Sequence, residues 1–235
     1  MNLRDLTERI KLKGYWRVLI RPTSFEKLRI PTFSKLQELI QVCNVHWGGW
    51  DYPYLEPHVV QNKEDWIESS VDWESHIEYW KLYRSGQFIH LFALHEDHMD
   101  IEKLLPVTYP SRPKRDGYVG FVSATHTVTE ILEFAARMAN KDILRPAAFV
   151  SIELHNMGNH QLATFGGRRC LPDDYVYTTN DPIVIEKEIP QQELISKPDE
   201  FALDLIVEIF ERFSWNNPPR QILREDQKRL RERRF

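Results

Sequence analysis

The sequence contains little cysteine and no long apolar segment, and these two absences exclude several classes of protein. Its 235 residues include only Cys43 and Cys170, which do not form a C-x-x-C pair. This excludes a disulfide framework and a cysteine-rich zinc site, and it is typical of a reducing compartment. No apolar run approaches the ~20 residues that cross a bilayer, and residues 1–13 carry charges throughout, without the apolar core of a secretory signal. We therefore predict a cytoplasmic protein without membrane contact.

Sequence signatures of nucleotide binding and of serine nucleophiles are also missing. The chain has neither G-x-x-x-x-G-K-[ST] nor G-x-G-x-x-G, and it has no G-x-S-x-G. Its histidines are too scattered for a nucleophile and base to be paired from the sequence. No cofactor is therefore predicted, and a catalytic set cannot be assigned.

Charge is unevenly distributed along the chain. The formal net charge is -4, whereas residues 220–235 alone carry seven basic and three acidic side chains. Hydrophobic residues make up 42% of the sequence, which is ordinary for a globular protein. We predict one globular domain over residues 1–219 and a basic tail over residues 220–235. Residues 106–117, which include three prolines, are the best candidate for an internal boundary.

Apolar periodicity predicts a succession of strands and helices. A capping box at residues 127–130 is expected to begin one helix, and a turn at Gly158-Asn159 is expected to close a hairpin. Strands and helices alternate at first and strands adjoin later, which predicts an α/β fold with an α+β tendency, a mixed β-sheet with helices packed on it. The predicted strands are 15–21, 45–50, 87–94, 118–123, 147–155, 161–165 and 183–189; the predicted helices are 32–43, 72–83, 127–138 and 201–213, with a loop at 62–70.

Imidazoles and carboxylates gather at the end of the predicted strand 87–94. Donors of this kind can bind a metal ion, but their spacing is not that of H-E-x-x-H. The first histidine also lies inside an apolar strand, where a buried, hydrogen-bonded side chain is the more common outcome. A solvated loop is the favoured interpretation, and no metal is predicted. The weak catalytic candidates are His90, His95, Asp97 and His98, with Glu96 beside them.

Aromatic residues are concentrated in the first half of the chain. Five of the seven tryptophans fall between Trp47 and Trp80. Their flat faces could stack on a ligand, or their rings could fill the core. The helical spacing of Trp73 and Trp80 favours the core, whereas Trp50 and Tyr52 are the best candidates for exposure.

A glycine pair followed by two arginines could contribute to the same ligand site. The backbone N–H groups of Gly166-Gly167 could face a phosphate, and the arginines would assist, although a plain hairpin turn is favoured. The predicted ligand-binding residues are Trp47, Trp50, Asp51, Tyr52, Arg168 and Arg169.

The basic tail could follow a nucleic-acid backbone or dock a partner protein. Its acidic residues stand at helical distances from the basic ones, which suits intrahelical pairs. A solvated terminal helix or a partner-docking arm is therefore favoured over a nucleic-acid site. The predicted contact residues are Arg220, Arg224, Lys228, Arg229 and Arg231, to which the loop residues Arg112, Lys114 and Arg115 could add.

The stretch 16–94 resembles a family of uncharacterised bacterial proteins with GWD(F/Y)P and WxxYxSGQF motifs. The resemblance covers about a third of the chain and implies a bacterial cytoplasmic protein in a regulatory or phage-defence setting. Similar segments in that family look like accessory modules, sometimes adjacent to Schlafen AlbA-type modules, and no site residue can be carried over. The matching residues are Arg21-Pro22, Gly49-Trp50-Asp51-Tyr52-Pro53, Asp72-Trp73, and Trp80, Tyr83 and Ser85-Gly86-Gln87-Phe88.

These observations predict a non-catalytic recognition, adaptor or sensor protein. It would bind another protein, or a small ligand near residues 47–54. The alternative is a metal-dependent nuclease or phosphodiesterase that uses the cluster at residues 90–98 with arginines from residues 166–169. Binding of nucleic acid through the tail is a third hypothesis.

Overall fold

The computed structural model describes residues 3–55, 61–74, 76–99, 114–165 and 171–233. The predicted mixed α and β fold is confirmed, and helices pack on a seven-stranded sheet. The helices are α1 (Leu3–Lys11), α2 (Phe33–Cys43), α3 (Phe121–Asn140), α4 (Gln191–Ser196), α5 (Pro198–Arg212) and α6 (Arg220–Arg231), with a 3-10 helix at His95–His98. The strands are β1 (Tyr15–Pro22), β2 (Gln61–Asn62), β3 (Trp66–Trp73), β4 (His76–Tyr83), β5 (Phe88–Ala93), β6 (Gly117–Gly120), β7 (Ala147–His155), β8 (His160–Ala163) and β9 (Ile183–Pro190).

The main sheet is antiparallel throughout, with strand order β2-β3-β4-β5-β1-β7-β9. The parallel pairing lies apart from it, in a two-stranded sheet of β6 and β8. β1 lies inside the main sheet, between β5 and β7, so segments on both sides of the predicted boundary at 106–117 share one sheet. Residues 106–113 of that region lie outside the described residues.

Helices cover one face of the main sheet and form the larger core. Alternation along the strands directs Trp16 and Val18 of β1, and Phe88, His90 and Phe92 of β5, to this face. The register places Trp16 beside Phe92, and Val18 beside His90. The buried side of α3 packs here with α2 and α5. The predicted alternation of β1 and β5 is therefore confirmed.

Helix α1, which was not predicted from the sequence, covers the other face of the sheet at β4 and β5. Leu6 and Ile10 of this helix pack against Tyr15, Ile77 and Tyr79. Both faces of the central strands are therefore covered locally. This explains why apolar residues occupy both alternating sets of positions in β5.

The loop predicted at 62–70 and the helix predicted at 72–83 are both wrong. This region forms the hairpin of β3 and β4, in which Ser69 lies opposite Trp80. Trp80 faces the helical layer while Ile77 faces α1. Because both faces of β4 are buried, its apolar residues did not alternate, and their spacing matched a helix by coincidence.

Four other predicted features differ from the structure. The strand predicted at 45–50 is reduced to an isolated antiparallel bridge between Val45 and Tyr52. The capping box at residues 127–130 lies inside α3, which begins at Phe121, and the predicted strand 118–123 ends at Gly120. The predicted hairpin at 158–159 does not form, because β8 pairs in parallel with β6 rather than with β7.

The predicted basic tail is a helix packed against the fold. Leu223 and Leu230 of α6 are fully buried, and α6 contacts α3 and α5. Asp226 and Gln227 are also buried, and Gln227 donates a hydrogen bond to the carbonyl of Asp199. The expectation of a solvated helix is therefore wrong for this face, while the opposite face is exposed.

Candidate functional site

A cavity of about 310 Å³ opens between the helix-covered face of the sheet and α3. We call it the central cavity. Side chains from β1, β4, β5 and the 3-10 helix line one side, and α3 and the segment 48–52 line the other. Cavities of this size are at the small end of those that hold organic ligands.

On the sheet side, a buried carboxylate is held by two histidines. Glu78 of β4 lies 3.2 Å from Nε2 of His76 and 3.5 Å from Nε2 of His90, and it accepts a hydrogen bond from the Tyr54 N–H. Burial would raise the pKa of Glu78, but the charge interaction with His90 and the proximity of both imidazoles outweigh burial and lower it to about 2. Glu78 is therefore ionised at neutral pH.

On the helix side, a second glutamate lies buried with one protein donor. Oε1 of Glu130 accepts a hydrogen bond from the Gly48 N–H at 2.9 Å. Burial raises the pKa of Glu130 to about 8; the Gly48 hydrogen bond opposes this shift and the charge of Asp51 adds to it. Residue 48 must be glycine for this approach, because a Cβ there would lie 2.9 Å from the same carboxyl oxygen. Glu130 is therefore protonated at neutral pH in the ligand-free protein.

A third carboxyl group, Glu96, closes the end of the cavity beside the start of α3. It accepts hydrogen bonds from the Ser123 hydroxyl and from the Gly120 N–H. Burial raises its pKa, and the hydrogen bond from Ser123 opposes that rise. Glu96 thus fixes the junction between the 3-10 helix and α3.

Other polar atoms at the cavity lack a hydrogen-bond partner among the described residues. The Tyr52 hydroxyl and Nδ1 of His90 are buried and make no hydrogen bond within the described residues. The two rings lie 5.1 Å apart. Burial, with the nearby charges of Glu78 and Glu130, raises the pKa of Tyr52 well above its usual value. Buried polar atoms without partners are rare in native proteins, so these two indicate a ligand or ordered water.

Aromatic rings surround the mouth of the cavity. Trp50 stacks on His76 with ring centroids 4.5 Å apart, and it lies 5.4 Å from Trp73. Trp50 is 47% exposed and Trp73 is 40% exposed, although large aromatic side chains are normally buried. Deeper in the cavity, Trp16 stacks on Phe92 at 5.9 Å. The mouth therefore presents an aromatic surface to solvent.

The structure brings residues from two separate sequence predictions into this one cavity. Trp50, Asp51 and Tyr52 from the predicted ligand site line it, as do His90 and His95 from the predicted metal cluster. Two glutamates of the cavity were not identified as site residues from the sequence. Glu78 lies in a segment that was predicted to be a helix, and Glu130 was predicted to be part of a capping box. The only signal in the sequence was that each glutamate interrupts a pattern of apolar residues, in the predicted helix 72–83 and in the predicted helix 127–138.

Other predicted ligand residues lie elsewhere. Trp47 packs against the core beneath the Arg137 guanidinium, 5.7 Å from the ring centre. Arg168 and Arg169 lie outside the described residues.

The predicted metal cluster is divided between two sites. Asp97 lies 3.0 Å from Nε2 of His160 and accepts a hydrogen bond from the Gly14 N–H, away from His90. His98 is partly buried, and burial lowers its pKa. In the parts of the chain that the structure describes, no group of three His, Cys, Asp or Glu side chains has a geometry that could hold a metal ion.

Several basic residues predicted to contact nucleic acid or a partner are paired within the chain. Arg220 binds Asp204, and Arg231 binds Asp199. Arg224 lies 2.9 Å from Glu200. Lys228 is 4.0 Å from Glu232, and Arg229 is exposed. The acidic surface of α5 thus holds much of the positive charge of α6.

Comparisons with known proteins add no relative to this picture. No family model, curated protein or solved structure matches the chain. Among the described residues, no helix has both the length and the apolar character needed to cross a bilayer. The case for function therefore depends on the geometry of the central cavity.

Proposed function

We propose that this protein recognises a small organic ligand in the central cavity and acts as a sensor or adaptor. The observation that carries the proposal is that the Tyr52 hydroxyl and Nδ1 of His90, at an aromatic-lined cavity, are buried without a hydrogen-bond partner among the described residues. An unsatisfied buried polar group costs about 1–3 kcal/mol. A ligand that hydrogen-bonds to both would recover that free energy.

The aromatic mouth supports recognition and a response to it. Trp50 is packed against Trp73 and His76 at the surface, while residues 48–52 line the cavity. Occupancy of the cavity would change the position of this exposed aromatic surface, which a partner protein could detect. A cytoplasmic location and a bacterial regulatory or phage-defence setting remain predictions that rest on composition and on the family resemblance.

The alternative of a metal-dependent nuclease or phosphodiesterase receives less support. Its candidate ligands are divided between the central cavity and the Asp97–His160 pair. Phosphodiester chemistry also requires positive charge near the phosphate. No lysine or arginine is among the described residues that line the cavity.

A second candidate function is proton-transfer catalysis at the same cavity. Glu78 has a pKa of about 2 and Glu130 a pKa of about 8, so one carboxylate and one carboxylic acid coexist at neutral pH. Enzymes that use two carboxyl groups as acid and base separate their pKa values in this way. Slow conversion of a bound ligand, followed by NMR and abolished in Glu130→Gln, would support catalysis; an unchanged ligand spectrum would exclude it for that ligand.

The recognition proposal is tested by NMR detection of binding from a library of neutral, cationic and anionic fragments. The tryptophan indole N–H signals serve as reporters. We expect at least one fragment to shift the signals of Trp16 and Trp50, which line the cavity, and to leave that of Trp215 unchanged.

A filled-cavity variant supplies the control. Thr127→Phe adds a ring on the cavity-facing side of α3, whereas Asn140→Phe adds the same ring at the exposed end of that helix. Binding should be lost in the first variant and retained in the second. The proposal fails if no fragment binds. It also fails if the fragments that bind shift the Trp215 signal and still bind to the Thr127→Phe variant.

A further inference from the structure

The acid–base balance of the central cavity indicates which ligand it accepts. We propose that the ligand is an organic cation, an ammonium or protonated nitrogen base, whose charge is met by Glu130 and by the faces of Trp16 and Trp50. This inference rests on the proposed recognition function and specifies its ligand class.

Glu130 has no cationic side chain paired with it among the described residues. It is 8% exposed, and the Gly48 N–H is its only hydrogen-bond donor among the described residues. Glu78, by comparison, already has two histidines and a backbone N–H. A buried carboxyl group without a cationic partner is costly to ionise. A ligand cation would supply the missing partner.

The aromatic rings favour the same charge. Cations bind to the negative faces of aromatic rings, most strongly to tryptophan, and the attraction increases when water is excluded. Trp16 lies deep in the cavity against Phe92, and Trp50 lies at its mouth against His76. An organic cation can therefore contact an aromatic face at either end while its charge lies near Glu130.

Anionic ligands are disfavoured by the same residues. Asp51, Glu78, Glu96 and Glu130 all line the cavity, and its described lining includes no lysine or arginine. The groups that could carry positive charge there are histidines. Two of these, His76 and His90, already lie beside Glu78.

Binding of a cation should be coupled to loss of a proton from Glu130. A pKa of about 8 means that roughly 1% of Glu130 is ionised at pH 6 and about half at pH 8. Affinity for a permanent cation should rise about 50-fold over that interval. The other titratable groups that line the cavity are Asp51, Tyr52, His76, Glu78, His90, His95, Glu96 and His126, so a Glu130 variant is needed to isolate its contribution.

The test compares probes of matched shape and different charge, with affinities measured by NMR titration of the tryptophan indole signals. Choline is paired with 3,3-dimethyl-1-butanol, and benzylammonium with benzyl alcohol and benzoate. At pH 8, we expect the cation of at least one set to bind tenfold or more tightly than its neutral and anionic counterparts. Choline affinity should rise with pH as described above.

Two glutamine variants on α3 separate charge recognition from folding. Glu130→Gln should reduce cation affinity at pH 8 about tenfold, leave benzyl alcohol within twofold, and remove most of the pH dependence. Glu133→Gln, one turn away and paired with Arg137, should leave cation affinity unchanged. Equal losses in both variants would contradict the role of Glu130.

The outcomes distinguish failure of this inference from failure of the recognition function on which it rests. Neutral or anionic probes that bind the cavity as tightly as the cations overturn the inference and leave recognition intact. The inference is also overturned, and recognition left intact, if neither cation binds while neutral or anionic library fragments still shift the signals of Trp16 and Trp50. Absence of binding by every probe and every fragment overturns both.

Discussion

Tyr52 holds its ring and its hydroxyl group in contrasting surroundings. The ring packs against His90 and Phe134 at centroid distances of 5.1 and 5.8 Å. The hydroxyl is buried and has no hydrogen-bond partner in the described part of the chain. The ring therefore stabilises the fold, whereas the hydroxyl destabilises the ligand-free protein and remains available to a ligand.

Tyr52→Phe should consequently stabilise the ligand-free protein. The change keeps the ring contacts and removes the unsatisfied hydroxyl, so we expect the free energy of unfolding to rise by about 1 kcal/mol. Urea denaturation measures this difference. Tyr177→Phe is the matched control, because the Tyr177 hydroxyl donates a 2.9 Å hydrogen bond to the Asp181 carbonyl; we expect it to lose about 1 kcal/mol. A loss of stability in both variants would contradict the assignment of Tyr52.

Glu130 should make the protein less stable as pH rises from about 4.5 to 8. Its pKa in the folded state is about 8, above the ordinary glutamate value of 4.5, so folding favours the protonated form. The stabilisation from this group is complete below pH 4.5 and is lost as pH rises through 8. Its loss between pH 5 and 8 is on the order of 3 kcal/mol.

Glu130→Gln should remove that contribution. Urea unfolding of both proteins at pH 5 and pH 8 measures it, and the stability of the variant relative to the parent should increase with pH. A constant difference between the two proteins across this range would show that Glu130 titrates normally.

The structure of helix α6 differs from the solvated tail that its charges predicted. The seven basic and three acidic side chains of residues 220–235, most of which belong to α6, suggested a solvated tail. Its buried face, however, carries leucines seven residues apart, Leu223 and Leu230, which pack against the rest of the fold. Its exposed arginines lie against the acidic residues of α5.

Leu223→Ala should therefore cost about 2–5 kcal/mol of stability, the usual cost of truncating a buried leucine. Arg224→Ala, on the next residue, should change stability far less, because its ion pair with Glu200 is exposed. Thermal and urea unfolding of the two variants compare them directly. Similar small effects at both positions would indicate a tail that does not pack against the fold.

Across the whole molecule, elements with one buried face were predicted best from the sequence. β1, α2 and α5 carry apolar residues at regular intervals because one side of each is buried, and all three were identified. β4 is buried on both sides, so its periodicity was lost and it was mistaken for a helix. The contacts with α1 that bury its second face are not encoded in the local pattern.

The candidate site could be predicted only in part for the same reason. Trp50, Asp51 and Tyr52 were identified because an aromatic cluster beside glycine and proline is visible in the sequence. Glu78 and Glu130 belong to the site because β4 and α3 meet across the cavity, 52 positions apart in the chain. Their burial, and therefore their shifted pKa values, depends on tertiary packing that periodicity does not describe.

Proton release on ligand binding is the most direct measure of the central claim that the cavity recognises an organic cation through Glu130. Calorimetric titration of choline at pH 7, in buffers with different ionisation enthalpies, counts the protons released without any titration of the ligand itself. With a Glu130 pKa of about 8, we expect about 0.9 proton to be released per choline bound, and close to none in Glu130→Gln. Binding of choline without proton release, or no binding of either choline or benzylammonium, would contradict the account.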